Sequence, residues 1–149
     1  MLVAVANAAR YICSIMPINF HPRPGQVLIC DFSTGFRPPE MVKKRPVVVI
    51  SKCRGQLVTV VPISTVEPCP AERWHHELQG LSLPDSLRRK RCWAKCDMVS
   101  TVALWRLDRV YAGKHPVTGK RIYVSHVLCP QDFAAIRSAV LAGLGFNFP

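Results

Sequence analysis

Two β-branched apolar runs, joined by a short turn, constrain the fold of this chain more than any other feature. The first run is centred on residues 46–50 and the second on residues 58–63, and Val and Ile dominate both. Such runs are typical of buried strands. The first stretch ends at Ser51, and only the six residues from Lys52 to Leu57 separate it from the second run, with Gly55 as the turn residue. The two runs therefore predict an antiparallel hairpin.

The outer ends of this predicted hairpin carry polar side chains. Arg45 opens the first strand, and Ser64 and Thr65 close the second. Because the ends of an antiparallel hairpin lie side by side, we expect Arg45 and Ser64 to be near neighbours. One cation and two hydroxyls would then converge on the rim of a rigid sheet, which is a suitable place to hold a phosphate.

The composition is that of one small globular domain. The chain has 149 residues, 49% of them hydrophobic, and its 13 prolines and short apolar runs favour a sheet or barrel over a helix bundle. No apolar run approaches the ~18 residues that a transmembrane helix needs, so no membrane partner is expected. Residues 1–15 are small and apolar, and we expect a dispensable or poorly ordered extension there. Residues 16–149 are expected to form a single domain.

The charge balance indicates a polyanionic partner. Twenty Lys and Arg residues face nine acidic residues, for a net charge of +11. The cations cluster at residues 43–45 and 88–91, as in nucleic-acid-binding proteins. The seven cysteines show neither a disulfide framework nor zinc-ligand spacing, so we expect reduced, mostly buried thiols in a cytoplasmic protein. No metal site and no cofactor are expected.

The rest of the chain predicts further short strands and one helix. Strands are expected near residues 26–32, 73–78, 92–99 and 121–125, with a long loop at residues 33–42. One of His75 and His76 should face outward, and Lys95 and Asp97 should share one strand face. A helix is predicted from Pro130 to about residue 144, because apolar residues recur there at helical spacing.

Several short motifs follow one another along the chain. They are Pro24-Gly25-Gln26-Val27, Asp31-Phe32, Lys44-Arg45-Pro46 with the apolar strand after it, Val61-Pro62-Ile63-Ser64-Thr65, and Lys95-Cys96-Asp97. Their order resembles the MazF/PemK/Kid family of type II toxin–antitoxin toxins, and the resemblance runs from about Pro24 to Leu144.

The resemblance implies a small SH3-like, MazF-type β-barrel with a C-terminal helix packed on the sheet, usually assembled as a homodimer. It also implies a metal-independent endoribonuclease that cuts single-stranded RNA at short sequences. An acidic antitoxin would bind across the same groove, and DNA would be contacted only through that antitoxin.

The resemblance also implies which residues act. The family's catalytic Arg falls on Arg45 and its catalytic Thr on Ser64, a departure that keeps the hydroxyl, with Thr65 beside it. In the Kid branch an Arg-Cys-Asp segment contributes catalytic residues, and the matching segment here begins with Lys95 and ends with Asp97. That branch's catalytic His has no counterpart, since no His occurs between residues 22 and 45.

General principles of catalysis indicate which role each of these residues would have in RNA cleavage. RNA carries its own nucleophile, the 2′-OH, so a protein can cleave it by alignment and charge stabilisation. Arg45 stays protonated and suits a phosphate clamp rather than a base. Ser64 and Thr65 would orient the phosphate, and the proton acceptor would be Asp97 or a histidine. The residues expected to contact RNA are Arg37, Lys43, Lys44, His75, His76 and Lys95.

Two other readings of the sequence stay open. A small barrel with a basic rim can bind nucleic acid without cutting it, which predicts salt-sensitive binding without products. Alternatively, the basic groove could receive an acidic peptide, which predicts peptide binding without competition from RNA.

Overall fold

The structure, a computed structural model, describes residues 17–147, so the predicted extension at residues 1–15 lies outside the described residues. The described part contains ten strands and one α-helix, with single 3₁₀ turns at Gly80–Ser82, Asp85–Leu87, Cys96–Met98 and Leu104–Arg106. The elements are β1 (Gln26–Asp31), β2 (Lys44–Val49), β3 (Leu57–Ser64), β4 (His75–Glu77), β5 (Trp93–Lys95), β6 (Ser100–Ala103), β7 (Leu107–Asp108), β8 (Val110–Lys114), β9 (Arg121–Val124), β10 (His126–Val127) and α1 (Pro130–Gly143).

Eight of these strands form one antiparallel sheet, which confirms the prediction of a mainly β fold with a C-terminal helix. The strand order is β10-β1-β2-β3-β5-β4, while β6 also pairs with β3 and β7 with β1. The long strand β3 changes partner along its length: Leu57 to Val60 pair with β6, and Ile63 and Ser64 pair with β5. The ladder is not closed between β10 and β4, so within residues 17–147 the sheet has two edges instead of forming a closed barrel.

The central hairpin has continuous apolar strands because both of its faces are buried. Successive side chains of a strand point to opposite faces. Val48 and Val61 pack in a cluster with Ile136 of α1, while Val47 and Val60 pack in a second cluster on the other face. All five side chains are fully buried, and burial of each contributes ~1.5–3 kcal/mol to stability. The hairpin is thus the rigid centre of the domain.

Helix α1 begins at Pro130, as predicted, and covers one face of the sheet. Ile136 and Val140 of the predicted apolar stripe are buried, whereas Leu144 lies beyond the helix and is 56% exposed. Gly143 allows the helix end to approach the β5 region closely. A Cβ at Gly143 would lie 3.2 Å from the carbonyl oxygen of Cys96 and 3.2 Å from Asp97 Cα.

The strand predicted over residues 92–99 is interrupted in the structure. It ends at Lys95, and Cys96–Met98 form a 3₁₀ turn before β6 starts. The turn is fixed because the amide of Cys96 donates a hydrogen bond to the carbonyl of Trp74, 2.9 Å away, and the Cys96 side chain is fully buried. The predicted strand alternation that put Lys95 and Asp97 on one face is therefore wrong.

The described cysteines carry free thiols, but they are less uniformly buried than expected. Cys30, Cys92 and Cys96 are buried, Cys53 and Cys129 are half-buried, and Cys69 is exposed. Within residues 17–147 no helix has the length and apolarity needed to cross a membrane.

Candidate active site

The ends of the central hairpin lie side by side in the structure. The β2–β3 register pairs Val47 with Pro62 and Val49 with Val60. Continuing that register by two residues places Arg45 opposite Ser64. On its other side, Arg45 is paired with Cys30 of β1. The pairing with β1 therefore holds the backbone of Arg45 within the sheet.

The guanidinium of Arg45 has an unusual environment. Its Nε is buried and has no hydrogen-bond partner, the sole side-chain nitrogen or oxygen in that condition within residues 17–147. Within residues 17–147, Arg45 forms no ion pair with the nearby carboxylates of Asp31 or Glu40. A buried donor without a partner costs ~1–3 kcal/mol, so native proteins rarely keep one without a reason. The unpaired Nε belongs to a side chain that lines a cavity.

Arg45 lines a cavity of about 230 Å³. Three cationic side chains (Arg45, Arg89 and Lys90) and two hydroxyl side chains (Thr65 and Ser86) contribute to its wall, and no Asp or Glu does. Most of the exposed wall is apolar, but three cationic residues and no carboxylate are among those that line it, which suits a phosphate group. We refer to this cavity as the Arg45 pocket; its full lining is Arg45, Pro46, Ile63, Thr65, Ser86, Leu87, Arg89, Lys90 and Cys92.

The two hydroxyls at the end of β3 have different surroundings. Ser64 is 6% exposed, and its Oγ accepts a hydrogen bond from the amide of Val66 at 3.1 Å. Thr65 is exposed and lines the Arg45 pocket. Ser64 therefore shapes the turn after β3, and Thr65 is the residue of this pair that can meet a ligand in the pocket.

The basic run at residues 88–91 supplies one wall of the Arg45 pocket. Arg88 at one end pairs with Asp85 at 2.8 Å and donates to the carbonyl of Leu83 at 2.7 Å. Arg91 at the other end binds Glu77 through two hydrogen bonds of 2.7 and 2.9 Å. Between them, the exposed side chains of Arg89 and Lys90 line the pocket.

Sequence reasoning used this run only as a sign of net charge and did not assign it to the site. The signal was present, since four consecutive cations in a connection between strands are difficult to explain by stability. The structure shows that the two outer cations hold the segment in place and the two inner cations face the cavity.

Two larger cavities lie beside the Arg45 pocket, around the 3₁₀ turn Asp85–Leu87. One, of about 590 Å³, includes Lys44, Arg109 and Tyr111 in its wall. The other, of about 460 Å³, includes Arg88, Arg89 and His126. Ser86 lines all three cavities. The three neighbouring cavities together form a region rich in Lys and Arg around this turn, which we call the basic groove.

The predicted proton acceptors lie outside the Arg45 pocket. Asp97 lines a separate cavity of about 260 Å³ beside Phe36, Glu40 and Met41 of the loop after β1. His75 Nε2 lies 4.0 Å from Asp97 Oδ1. The Nδ1 of the same ring accepts a hydrogen bond from the amide of Glu72 at 3.0 Å. The structure therefore brings His75 and Asp97 together with each other but not with Arg45.

His76 is engaged in a structural pair with Asp132 of α1. Its Nε2 lies 2.8 Å from Asp132 Oδ1, and Asp132 Oδ2 accepts a hydrogen bond from the amide of Gln79 at 3.0 Å. Burial raises the pKa of Asp132, but hydrogen bonds from His76, Ser82 and Gln79 outweigh it, so the pKa is lowered overall. This pair joins β4 to the first turn of the helix.

The remaining predicted contact residues are scattered around the sheet. Arg37 and Lys43 are exposed on the loop between β1 and β2, and Lys44 lines the larger cavity beside Arg45. Lys95 is half-buried and pairs with His75 across β4 and β5. The neighbouring Cys96 is fully buried, and burial raises the pKa of its thiol to about 12, so it is unsuited to act as a nucleophile.

Within residues 17–147, no group of three or more His, Cys, Asp or Glu side chains is arranged to hold a metal ion. The donor set of the groove is instead cationic, as described above for the Arg45 pocket. The groove can bind and polarise an anion through charge-assisted hydrogen bonds.

Comparison with known proteins gives one family. The model of PemK-like, MazF-like toxins of type II toxin–antitoxin systems matches residues 23–139. The uncharacterized protein YifN of Escherichia coli (strain K12) is 33% identical over 151 residues, covering 87% of this chain and 95% of YifN. An uncharacterized Haemophilus influenzae protein is 30% identical over 109 residues, covering 64% of this chain and 76% of its own length.

Solved structures resemble the fold over most of the chain. An endoribonuclease from a Mycobacterial species, in complex with its cognate antitoxin, superposes with a TM-score of 0.57 at 18% identity, covering 86% of this chain and 99% of the other. MazF from Deinococcus radiodurans superposes with a TM-score of 0.58 at 16% identity, covering 86% and 100%. At these identities the likeness shows a shared fold.

Proposed function

The chain belongs to the PemK-like, MazF-like toxins of type II toxin–antitoxin systems, and from that premise we propose that it is an endoribonuclease that cleaves single-stranded RNA. The Arg45 pocket is the proposed site of the scissile phosphate. The proposal includes a homodimer as the active form and an antitoxin as its partner. It places the reaction in the cytoplasm, where mRNA is available.

The observation that carries the proposal is the buried, unpaired Nε of Arg45, a residue that lines a pocket without carboxylates. If Arg45 served only stability, a carboxylate or carbonyl would be expected to satisfy its Nε. Arg106 is engaged by the protein in this way, since its Nη1 donates to the carbonyls of Asp31 at 3.0 Å and Thr34 at 2.8 Å. The contrast between the two arginines favours a ligand-binding role for Arg45.

The proposed chemistry is attack of the RNA 2′-OH on the adjacent phosphorus, which forms a 2′,3′-cyclic phosphate and releases the 5′-OH of the next nucleotide. Arg45 stabilises the negative charge that develops on the phosphorane, and Arg89 and Lys90 add positive potential. The hydroxyl of Thr65 orients a non-bridging oxygen, while Ser64 holds the turn that presents Thr65. Because the 2′-OH belongs to the substrate, this route needs no metal ion.

Proton transfer is the part of the proposal that the pocket itself does not supply. Asp97 and His75 remain the proposed acceptors, and the RNA strand would have to extend from the Arg45 pocket to their cavity. We therefore assign a larger effect on the cleavage rate to charge stabilisation by Arg45 than to proton transfer by Asp97 or His75. Asp97→Asn is expected to slow cleavage less than Arg45→Ala does.

The charge of the molecule supports an acidic inhibitor as partner. The net charge is +11, and the groove around Asp85–Leu87 carries many of the exposed cations. The Mycobacterial endoribonuclease of similar fold was solved with its cognate antitoxin. An acidic antitoxin segment bound in the groove would cover the Arg45 pocket and block RNA.

The experiment is to incubate the purified protein with long single-stranded RNA in EDTA and to map the cut ends. Discrete cuts ending in 2′,3′-cyclic phosphate, absent with Arg45→Ala, are the expected result. Cleavage only after divalent metal is added would contradict the metal-independent route. Salt-sensitive binding without any product would instead favour a non-catalytic RNA-binding protein, and binding of acidic peptide alone would favour a peptide-binding module.

A further inference from the structure

The hairpin of β8 and β9 is separate from the main sheet. Among the described strands these two pair only with each other, in register Tyr111 with Tyr123 and Lys114 with Arg121. A bulge follows Tyr111, and the glycine within it, Gly113, has a φ of +110°. The hairpin therefore contributes little to the ladder that holds the domain together, although it is rich in cations and aromatic rings.

The two tyrosines of the hairpin, Tyr111 and Tyr123, differ in burial and in the contacts that their rings make. Tyr123 is half-buried, and the guanidinium of Arg109 lies over its ring at 4.3 Å from the centroid. Tyr111 is 46% exposed and touches only the edge region of Tyr123, with ring centroids 6.2 Å apart. Tyr111 thus presents an aromatic surface to solvent, of the kind on which single-stranded bases stack.

The cavity beneath this hairpin is basic and has the size of a ligand site. Its volume is about 590 Å³, and small-molecule sites span ~300–1,000 Å³. One carboxylate, that of Asp108, is in its wall, and that carboxylate accepts a 2.7 Å hydrogen bond from the amide of Arg109. The cationic side chains in the wall are Lys44, Arg109, Lys114 and Arg121.

The hairpin cavity adjoins the Arg45 pocket. Ser86 and Leu87 line both. Lys44 lines the hairpin cavity, and the next residue, Arg45, lines the Arg45 pocket. A strand with its phosphate at Arg45 can therefore place a neighbouring nucleotide at the hairpin.

We propose that the hairpin cavity is a subsite for a nucleotide that flanks the scissile phosphate in single-stranded RNA. The base stacks on Tyr111, and Lys114 and Arg121 bind the flanking phosphates. This inference rests on the proposed function, because it names a second contact of the same RNA strand. The subsite favours longer RNA over a fragment that fills the Arg45 pocket alone.

The test measures binding of two nested, fluorescently labelled single-stranded RNAs by anisotropy. The shorter RNA contains only the nucleotides needed to fill the Arg45 pocket, and the longer RNA extends that sequence by a few nucleotides on both sides. Both carry 2′-O-methyl groups so that they are not cut. Wild-type protein is expected to bind the longer RNA about 5–150-fold more tightly, the range that stacking of one base provides.

Variants on the hairpin identify the contact. Tyr111→Ala is expected to lose most of the preference for the longer RNA, and Tyr111→Phe is expected to keep it because the ring remains. Ile122→Ala is the matched control, since Ile122 is 40% exposed on the same hairpin and does not line the cavity. A Tyr111→Ala protein that keeps the wild-type preference would overturn the subsite.

A pair of lysines gives a second test that does not depend on the ring. Lys114 lines the cavity, whereas Lys120 is exposed in the turn and does not. Lys114→Ala is expected to reduce the salt dependence of log K for the longer RNA by about 0.7, the value for one phosphate contact to a single strand. Lys120→Ala should leave it unchanged, and equal effects of the two variants would overturn the assignment.

The outcomes separate this inference from the proposed function. Wild-type protein that binds RNA with the predicted length preference but never cuts unmodified RNA would contradict the ribonuclease and support the subsite. Protein that cuts unmodified RNA while Tyr111 and Lys114 variants behave as wild type would support the ribonuclease and overturn the subsite. Absence of any RNA binding would overturn both.

Discussion

Asp132, on the helix that packs against the sheet, and Arg45, within the sheet, have opposite environments. The comparison distinguishes a charged residue that stabilises the fold from one that we propose acts in function. Asp132 is 1% exposed and is bound by both His76 and the amide of Gln79. Arg45 has a buried Nε without any partner. A buried charge that is fully hydrogen-bonded adds to the fold, whereas an unpaired one destabilises it. The free energy lost at Arg45 is recovered only if an external anion binds there.

Replacement of Arg45 has the largest expected effect and tests most strongly whether this residue acts in function rather than in stability. Arg45→Ala should reduce RNA cleavage about 100–1,000-fold, the usual effect of removing one transition-state donor. The free energy of unfolding should stay the same or rise, because an unsatisfied buried donor is removed. Cleavage assays and urea titration on one preparation would measure both. Loss of activity together with loss of stability would mean that Arg45 is a structural residue.

Arg106→Ala is the matched control for that prediction. Its guanidinium is bonded to the carbonyls of Asp31 and Thr34 and lies 5.0 Å from the ring of Phe36. We expect this variant to lose stability, since it leaves carbonyl groups without their donor. Residual folded protein should cut RNA at the wild-type rate.

The His76–Asp132 pair gives the next largest effect, on stability rather than on activity. Asp132→Asn should lower the free energy of unfolding at pH 7 by about 1–3 kcal/mol, because the buried donors of this cluster lose their anionic acceptor. The cleavage rate of the folded fraction should change little. Asp85→Asn is the control, because that carboxylate has the same charge and its side chain is 91% exposed.

The same pair predicts how stability depends on pH. The native pKa of Asp132 is lowered overall, because its hydrogen bonds outweigh burial. Its contribution is therefore present above the unfolded-state pKa of about 3.9 and is lost as pH falls through the native value. The stability difference between wild type and Asp132→Asn should be largest near neutral pH and shrink below about pH 4. A difference that grows on acidification would contradict this assignment.

The basic run at residues 88–91 allows a smaller and sharper comparison within one segment. Arg89→Ala and Lys90→Ala should each reduce the salt dependence of RNA binding by about 0.7 in log K against log salt, one phosphate contact each. Arg91→Ala removes the same charge but breaks a pair with Glu77. It should leave the salt dependence almost unchanged. Equal slopes for all variants would mean that only the overall charge of the segment matters.

The thiols give the smallest expected effect. Burial raises the pKa of Cys96 to about 12, whereas Cys69 is exposed. At pH 8 iodoacetamide should label Cys69 and leave Cys96 unmodified in the native protein, as peptide mass spectrometry can show. Cys96→Ala should cut RNA within a few-fold of wild type. Rapid labelling of Cys96 would indicate that the Lys95-Cys96-Asp97 segment is exposed for chemistry.

The sequence predicted the parts of the molecule that depend on local pattern. The β2–β3 hairpin and its register follow from the two β-branched runs, and α1 follows from helical spacing after Pro130. These features are confirmed because burial on one or both faces leaves a periodic signal. The adjacency of Arg45 and the end of β3 then follows from antiparallel geometry.

The parts that sequence reasoning missed depend on contacts between distant segments. The interruption of the strand at Cys96 arises from a bond to Trp74 and from the end of α1, neither of which leaves a local signal. Likewise, the placement of Arg89 and Lys90 beside Arg45 depends on how residues 84–90 fold over the sheet. Tertiary contacts of this kind override local propensity and must be observed.

The central claim is that the Arg45 guanidinium is kept unpaired for an RNA phosphate. The most direct measurement is ¹⁵N NMR of the Arg45 Nε–H group during titration with RNA that carries a 2′-O-methyl group at the mapped cut site. We expect a large chemical-shift change and slower solvent exchange for the Arg45 Nε–H resonance, and no change for the corresponding resonance of Arg106. An Arg45 resonance that does not move while RNA binds would contradict the account.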